Sequence, residues 1–285
     1  GIPMTKTAIR ATQLPSSEKV PVLGQGTWHM GEDRDRRAAE IAALRLGLEL
    51  GMSVIDTAEL YGSGASEHLV AEAIEGRRDE AFLVSKVLPH HATHHGTIMA
   101  CESSLRRLDT DHLDLYLLHW RGRIPLSDTV EAFEQLMQGG KIRYWGVSNF
   151  DVNDMEELFS LENGGNCASN QVLYNLAHRG IEFDLLPWCR ERKISIMAYS
   201  PIEQGLLVEN SQLRKLAKRH NATPAQIALA WVLREEGIIA IPKAGTPEHV
   251  RENRETLNIQ LTRKDLDDLD EAFPPPKQKI PLEMI

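Results

Sequence analysis

Cysteine is scarce in this sequence and carries no pattern. The three present, Cys101, Cys167 and Cys189, stand far apart with no C-x-x-C pair, so neither a disulfide framework nor a zinc site is suggested. No apolar run has the length needed to span a bilayer. No secretory leader opens the chain, and Gly1-Ile2-Pro3 ahead of Met4 reads as a cloning remnant followed by polar residues. Excess positive charge is missing too. A formal net charge of −9 argues against nucleic acid or an anionic membrane as the main partner, although a small anion can still find a local basic pocket. Pro/Gly-rich linkers, low-complexity tracts and repeats are absent. These gaps together describe one domain spanning 1–285, expected to be soluble, cytoplasmic and by default monomeric.

What the chain does contain is a regular alternation. Its 285 residues are 42% hydrophobic and 26% charged, enough for a large core. Eight short apolar runs of strand length recur: Val22–Trp28, Ser53–Asp56, Phe82–Lys86, Leu113–His119, Arg143–Ser148, Ala168–Gln171, Ile194–Ala198 and Ile238–Ile241. Helical periodicity fills the gaps. Arg37–Leu50 carries Ile41, Leu44 and Leu48 on one face, and Thr97–Leu108 carries Ile98, Cys101, Leu105 and Leu108. Pro224–Arg234 follows Thr223 as an N-cap, and Thr262 with Asp265 opens the last helix as a capping box.

Strands that are apolar throughout are buried on both faces, and strand-helix repetition requires parallel pairing through right-handed crossovers. Eight such units predict an α/β fold of the (β/α)8 TIM-barrel type. The competitor is an open doubly wound sheet, which usually announces its nucleotide site with G-x-G-x-x-G after the first strand. Here Gly24-Gln25-Gly26-Thr27-Trp28 lacks the third glycine and the helix start.

In such a barrel the C-terminal strand ends carry the chemistry. The second run ends on Asp56, with Tyr61 in its loop. The third ends on Lys86, and the fourth runs into His119 and Trp120. A carboxylate at the end of a buried strand needs a partner, and Lys86 is the available cation. The ammonium is expected to draw the Tyr61 phenol down toward the working pH range, Asp56 to hold Lys86, and His119 to orient a carbonyl oxygen. Singly, each residue has a plain structural explanation, as a cap, a loop aromatic, a surface lysine or a core histidine. Their conjunction at three successive strand ends favours an acid site.

An acid beside a carbonyl requires a hydride source, which no side chain provides, so a nicotinamide cofactor is implied. Ser148, Asn149 and Gln171 offer amide and hydroxyl partners for a carboxamide. Tyr199, followed by Ser200 and Pro201, offers a stacking plane. Ile241-Pro242-Lys243 leads into a helix start suited to phosphate. Trp28 and Trp120 are expected to flank the carbonyl site, with ordinary rim packing as the alternative. The run Pro89-His90-His91-Ala92-Thr93-His94-His95 has i, i+4 histidine spacing but no accompanying carboxylate or cysteine. It is expected to be a solvated loop beside the pocket mouth rather than a metal site.

The chain resembles the aldo-keto reductases over nearly its whole length. The likeness rests on Gly24-x-Gly26-Thr27-Trp28, Asp56-Thr57-Ala58-x-x-Tyr61-Gly62, Ser85-Lys86, Leu113–Trp120, Gly146–Phe150, Asn170-Gln171, Ala198–Pro201 and Ile241–Lys243. It implies NADP(H)-dependent carbonyl reduction by the tetrad Asp56, Tyr61, Lys86 and His119, with Trp28, Tyr61, His119 and Trp120 against the substrate. It further implies cofactor contacts from Gly26, Thr27, Trp28, Asp56, Ser148, Asn149, Gln171, Tyr199, Ser200, Pro201, Ile241, Pro242, Lys243, Thr246, His249 and Asn253. The likeness points toward bacterial members that reduce methylglyoxal and other small aldehydes. Two departures stand out. Ala244 and His249 replace the usual serine and the arginine that clasps the 2′-phosphate, although Lys243 remains. The segment Ile202-Glu203-Gln204-Gly205-Leu206-Leu207 is also shorter than in most relatives. The rival readings are a non-catalytic nicotinamide-binding redox sensor, as in the family's potassium-channel β-subunit branch, and a barrel isomerase forming a Schiff base on Lys86.

Overall fold

The computed structural model describes residues 8–203, 207 and 209–285. It opens with an antiparallel hairpin, β1 (Ala11–Gln13) and β2 (Lys19–Pro21). Eight parallel strands follow in sequential order: β3 (Gln25–Gly26), β4 (Val54–Asp56), β5 (Phe82–Val87), β6 (Leu113–Leu118), β7 (Ile142–Ser148), β8 (Ser169–Leu173), β9 (Ser195–Tyr199) and β10 (Ile238–Ala240). The first and last are stitched together. Gly24 N donates to Ala240 O at 2.8 Å, Ala240 N to Val22 O at 2.8 Å, and Gly26 N to Pro242 O at 3.0 Å. The sheet thus closes into the expected (β/α)8 barrel.

Alternation along the strands builds two cores. Val54, Val84, Leu115, Leu117, Met197 and Ile239 point into the barrel. Their neighbours Ile55, Leu83, Tyr116, Leu118 and Ile196 point outward, to a shell that includes Leu44, Leu105, Phe133 and Trp231. The shell helices are α1 (Arg34–Glu49), α2 (Ala65–Ala73), α3 (His94–Leu108), α4 (Leu126–Gln138), α5 (Val152–Ser160), α6 (Leu185–Glu191), α7 (Ser211–Arg219), α8 (Pro224–Leu233), α9 (Pro247–Glu255) and α10 (Arg263–Ala272). Asp56 lies two residues past Val54 and Lys86 two past Val84, so both share the inward parity at the C-terminal rim. The β1–β2 hairpin contributes Leu14 and Val20 to the inner cluster beside Phe82 and Ala168, at the opposite end.

Several boundaries differ from expectation, each for a local reason. The first strand is short, because at Thr27 the chain leaves the ladder for a turn in which Met30 N donates to Thr27 O at 2.9 Å. Helix α1 begins at Arg34 because Asp33 caps it by accepting from Asp35 N. Helix α3 begins at His94, capped by Thr93, which accepts from Gly96 N, so His94 and His95 are helical rather than looped. The Thr262–Asp265 capping box forms as expected. Thr223 makes a second box with Gln226. Gly1–Pro3 and, within the shortened segment, Gln204-Gly205-Leu206 lie outside the described residues.

Candidate active site

Lys86 is fully buried at the floor of the barrel mouth, where its ammonium needs acceptors. Its Nζ donates to Asp56 Oδ2 at 2.8 Å, to Thr57 O at 2.9 Å and to the Tyr61 hydroxyl at 3.1 Å. Gln171 Nε2 donates to the other Asp56 oxygen at 2.8 Å, so both oxygens of the carboxylate are held. The Tyr61 and His119 rings meet edge to face with centroids 5.9 Å apart, and Trp120 packs edge-on against His119 at 4.9 Å. Three strand ends and one loop therefore bring the expected four side chains together.

The electrostatics correct one expectation. Burial raises the Tyr61 pKa, Lys86 lowers it and Asp56 raises it again, leaving the phenol above its ordinary value rather than drawn down. The ammonium's influence is offset by the carboxylate that holds it. For Lys86, burial opposes the charge, but Asp56 and then Tyr61 outweigh it, and its pKa rises. His119 is pushed down to about 3, by burial first and then by the Lys86 charge, and is neutral near pH 7. Its Nδ1 is buried and has no partner among the described residues.

Above this floor opens a cleft of about 830 Å³. Asp56, Tyr61, His119 and Trp120 line its deep end, whereas Lys86 sits behind them. Gly26, Thr27, Trp28, Ser148, Asn149, Gln171, Tyr199–Pro201, Ile241–Lys243, Thr246 and His249 also line it. Asn253 does not. It shares the buried face of α9 with Val250, three residues earlier.

The amide group is already knitted together. Ser148 Oγ donates to Gln171 O at 2.8 Å, Asn149 Nδ2 to His119 O at 3.1 Å, and the Tyr199 hydroxyl to Asn149 Oδ1 at 2.9 Å. Asn149 and Ser200 adopt left-handed backbone at φ 59° and 44°, the kind of strain that gathers at functional strand ends. Lys243 is exposed and has no ion pair among the described residues. It faces Gly26 across the barrel seam and precedes α9, whose N-cap Thr246 accepts from His249 N.

Some cleft residues were not anticipated. The first turns of α1 contribute Asp35, Arg36, Ala39 and Glu40; Leu60, Met284 and Ile285 complete an apolar part of the rim. The α1 strip was foreseeable, since the helix starts directly after the Thr27–Trp28 loop at the barrel mouth. Met284 and Ile285 carry no local signal. Ile285 N approaches the Tyr199 hydroxyl at 3.4 Å. None of His90, His91, His94 or His95 lines the cleft. His91 bonds Glu59 and His94 bonds Gln135, partners on neighbouring elements.

The chain is similar to known proteins over nearly its whole length. The methylglyoxal reductase YeaE of Escherichia coli is 51% identical over 96% of this chain and 98% of its own length. The glyoxal reductase of Bacillus subtilis is 34% identical over 93% of each. A crystal structure of an aldo/keto reductase from Klebsiella pneumoniae in complex with NADP and acetate superposes with a TM-score of 0.95 at 49% identity, covering 98% of this chain and all of that one. The sequence profile of the Aldo/keto reductase family spans residues 22–273, and the chain belongs to that family.

Proposed function

We propose that this protein reduces small aldehydes, methylglyoxal among them, to alcohols at the expense of NADPH, with Tyr61 delivering the proton. Family membership makes the chain an NAD(P)H-dependent oxidoreductase. The observation that carries the finer reading is the chain of contacts Asp56–Lys86–Tyr61, at 2.8 and 3.1 Å, on the floor of the 830 Å³ cleft.

The residues present fit the cofactor. Lys243, without an ion pair among the described residues, open space at Gly245 and the capped start of α9 suit a phosphate. Gln171 Oε1, unpaired among the described residues, and the Tyr199 ring suit a carboxamide and its nicotinamide. When bound, the nicotinamide supplies the hydride. Tyr61 keeps its proton in the resting site because its pKa is raised, and releases it as negative charge grows on the substrate oxygen. Lys86 then faces the phenolate that remains, and Asp56 with Gln171 keeps that ammonium in place. Neutral His119 can donate an N–H to the same oxygen without competing as an acid. Trp28 and Trp120 wall the carbonyl site and limit water. All these groups come from one chain, which supports a monomer as the active unit. Three buried, unpaired cysteines suit a reducing compartment such as the cytoplasm.

Purified protein mixed with NADPH and methylglyoxal should show steady loss of reduced-cofactor absorbance. Tight NADPH binding without turnover would instead mark a sensing subunit, and neither would remove the redox reading.

A further inference from the structure

The histidine run after β5, which carbonyl reduction leaves unused, leads to a tie between the segment that carries the proton donor Tyr61 and the strand that carries Lys86. Main-chain pairing of β4 with β5 continues past Asp56, where Thr57 N donates to Val84 O at 2.9 Å. It then stretches to 3.5 Å between Glu59 N and Lys86 O. From there a side chain takes over. Glu59 Oε1 accepts from Leu88 N at 2.8 Å and from His91 Nδ1 at 2.8 Å, and its side chain is only 8% exposed. His91 arrives on the short turn Pro89–His91.

The placement is symmetrical about the acid. Tyr61 stands two residues after Glu59, and Leu88 stands two residues after Lys86. Beyond Tyr61 the chain turns through left-handed backbone, Gly62, Ser63 and Gly64 taking φ values of 58°, 54° and 99° in succession. The short hydrogen bonds of Glu59 therefore extend the link between the Tyr61 loop and the Lys86 strand beyond the main-chain pairing that weakens past Thr57. A misplacement of about 1 Å at a reacting group costs on the order of 100-fold in rate, so such a link has kinetic consequences.

We propose that Glu59, braced by His91, is a positioning residue that sets the 3.1 Å separation between the Tyr61 hydroxyl and Lys86 Nζ. This inference rests on Tyr61 being the proton donor. It assigns His91 a brace rather than a ligand, and it makes acceptor geometry, not negative charge, the required property of residue 59. A glutamine there keeps an oxygen able to accept from both Leu88 N and His91 Nδ1, whereas alanine leaves the Leu88 N–H unmatched at a strand end.

The test compares Glu59→Ala, Glu59→Gln, His91→Ala and Tyr61→Phe in NADPH-dependent methylglyoxal reduction, with NADPH affinity read separately by fluorescence titration. Glu59→Ala is expected to lower kcat about tenfold or more, with KM and NADPH affinity within about twofold. Glu59→Gln is expected to stay within about threefold of the parent, and His91→Ala to fall between the two because the Leu88 bond remains. Parental kcat in Glu59→Ala would overturn the inference. So would a glutamine variant as slow as the alanine one, or a loss of NADPH affinity parallel to the loss of kcat. An active Tyr61→Phe would remove the acid assignment itself, whereas an inactive Tyr61→Phe beside a fully active Glu59→Ala would remove only the tie.

Discussion

Lys86 Nζ lies 2.8 Å from Asp56 Oδ2, with both side chains almost wholly shut away from water. Two charges in such a place are costly separately and tolerable together. Lys86→Met should therefore destabilise the fold by about 3–5 kcal/mol, because it strands the carboxylate. Adding Asp56→Asn to that variant should recover most of the loss, since Gln171 still donates to residue 56, while reductase activity stays absent. Urea unfolding at neutral pH checks both. A single variant as stable as the parent would mean that water reaches the pair.

Tyr61 should be dispensable for holding the cofactor and indispensable for turnover. Tyr61→Phe keeps the ring against His119 and removes only the hydroxyl that faces Lys86. The expected result is a fall in kcat of about 10²–10⁴, the usual worth of a positioned acid. NADPH affinity, followed by fluorescence, should barely change. A rate near the parental one would mean that another group supplies the proton.

The rim chemistry was legible in the sequence because strand periodicity and residue type coincide there. Asp56 and Lys86 continue the inward parity of Val54 and Val84, so an apolar run that ends on a charge already marks the barrel mouth. The β1–β2 hairpin gave no such sign. Its strands are three residues each, and only Leu14 and Val20 mark its buried side. Glu59 was equally silent, since its partners Leu88 N and His91 meet it only once β4 and β5 are paired. The Tyr61 pKa was misjudged for a related reason. Proximity of an ammonium can be guessed from spacing, but the balance among burial, Lys86 and Asp56 depends on the closed site.

Lys243 should decide between the two nicotinamide cofactors. It is exposed, lines the cleft and precedes the capped start of α9, while the arginine usual in the family is His249 here. A charge-assisted contact to a phosphate is worth about 1.5–3 kcal/mol, so Lys243→Ala should raise the KM for NADPH roughly tenfold or more and leave that for NADH nearly unchanged. His249→Arg should act in the opposite sense by restoring a bidentate donor. Steady-state kinetics with each cofactor across a salt series tests this, since the contribution of Lys243 should shrink as ionic strength rises. Equal rates with NADPH and NADH in the parent protein would contradict it.

His119 links catalysis to stability through pH. In the folded protein its pKa is about 3, and in the unfolded chain it returns to the ordinary 6.5. Between these values the unfolded state holds a proton that the folded state refuses, so the contribution to stability rises with pH across that window. It is complete above about 6.5 and lost as pH falls toward 3, with a full span on the order of 5 kcal/mol. Subtracting the unfolding free energies of His119→Gln from those of the parent, pH by pH, should isolate this slope. Turnover should behave differently. Because the imidazole is neutral throughout, kcat should show no limb near 6.5 belonging to His119. Such a limb, present in the parent and absent from His119→Gln, would mean that the ring titrates as if exposed and acts as an acid in its own right.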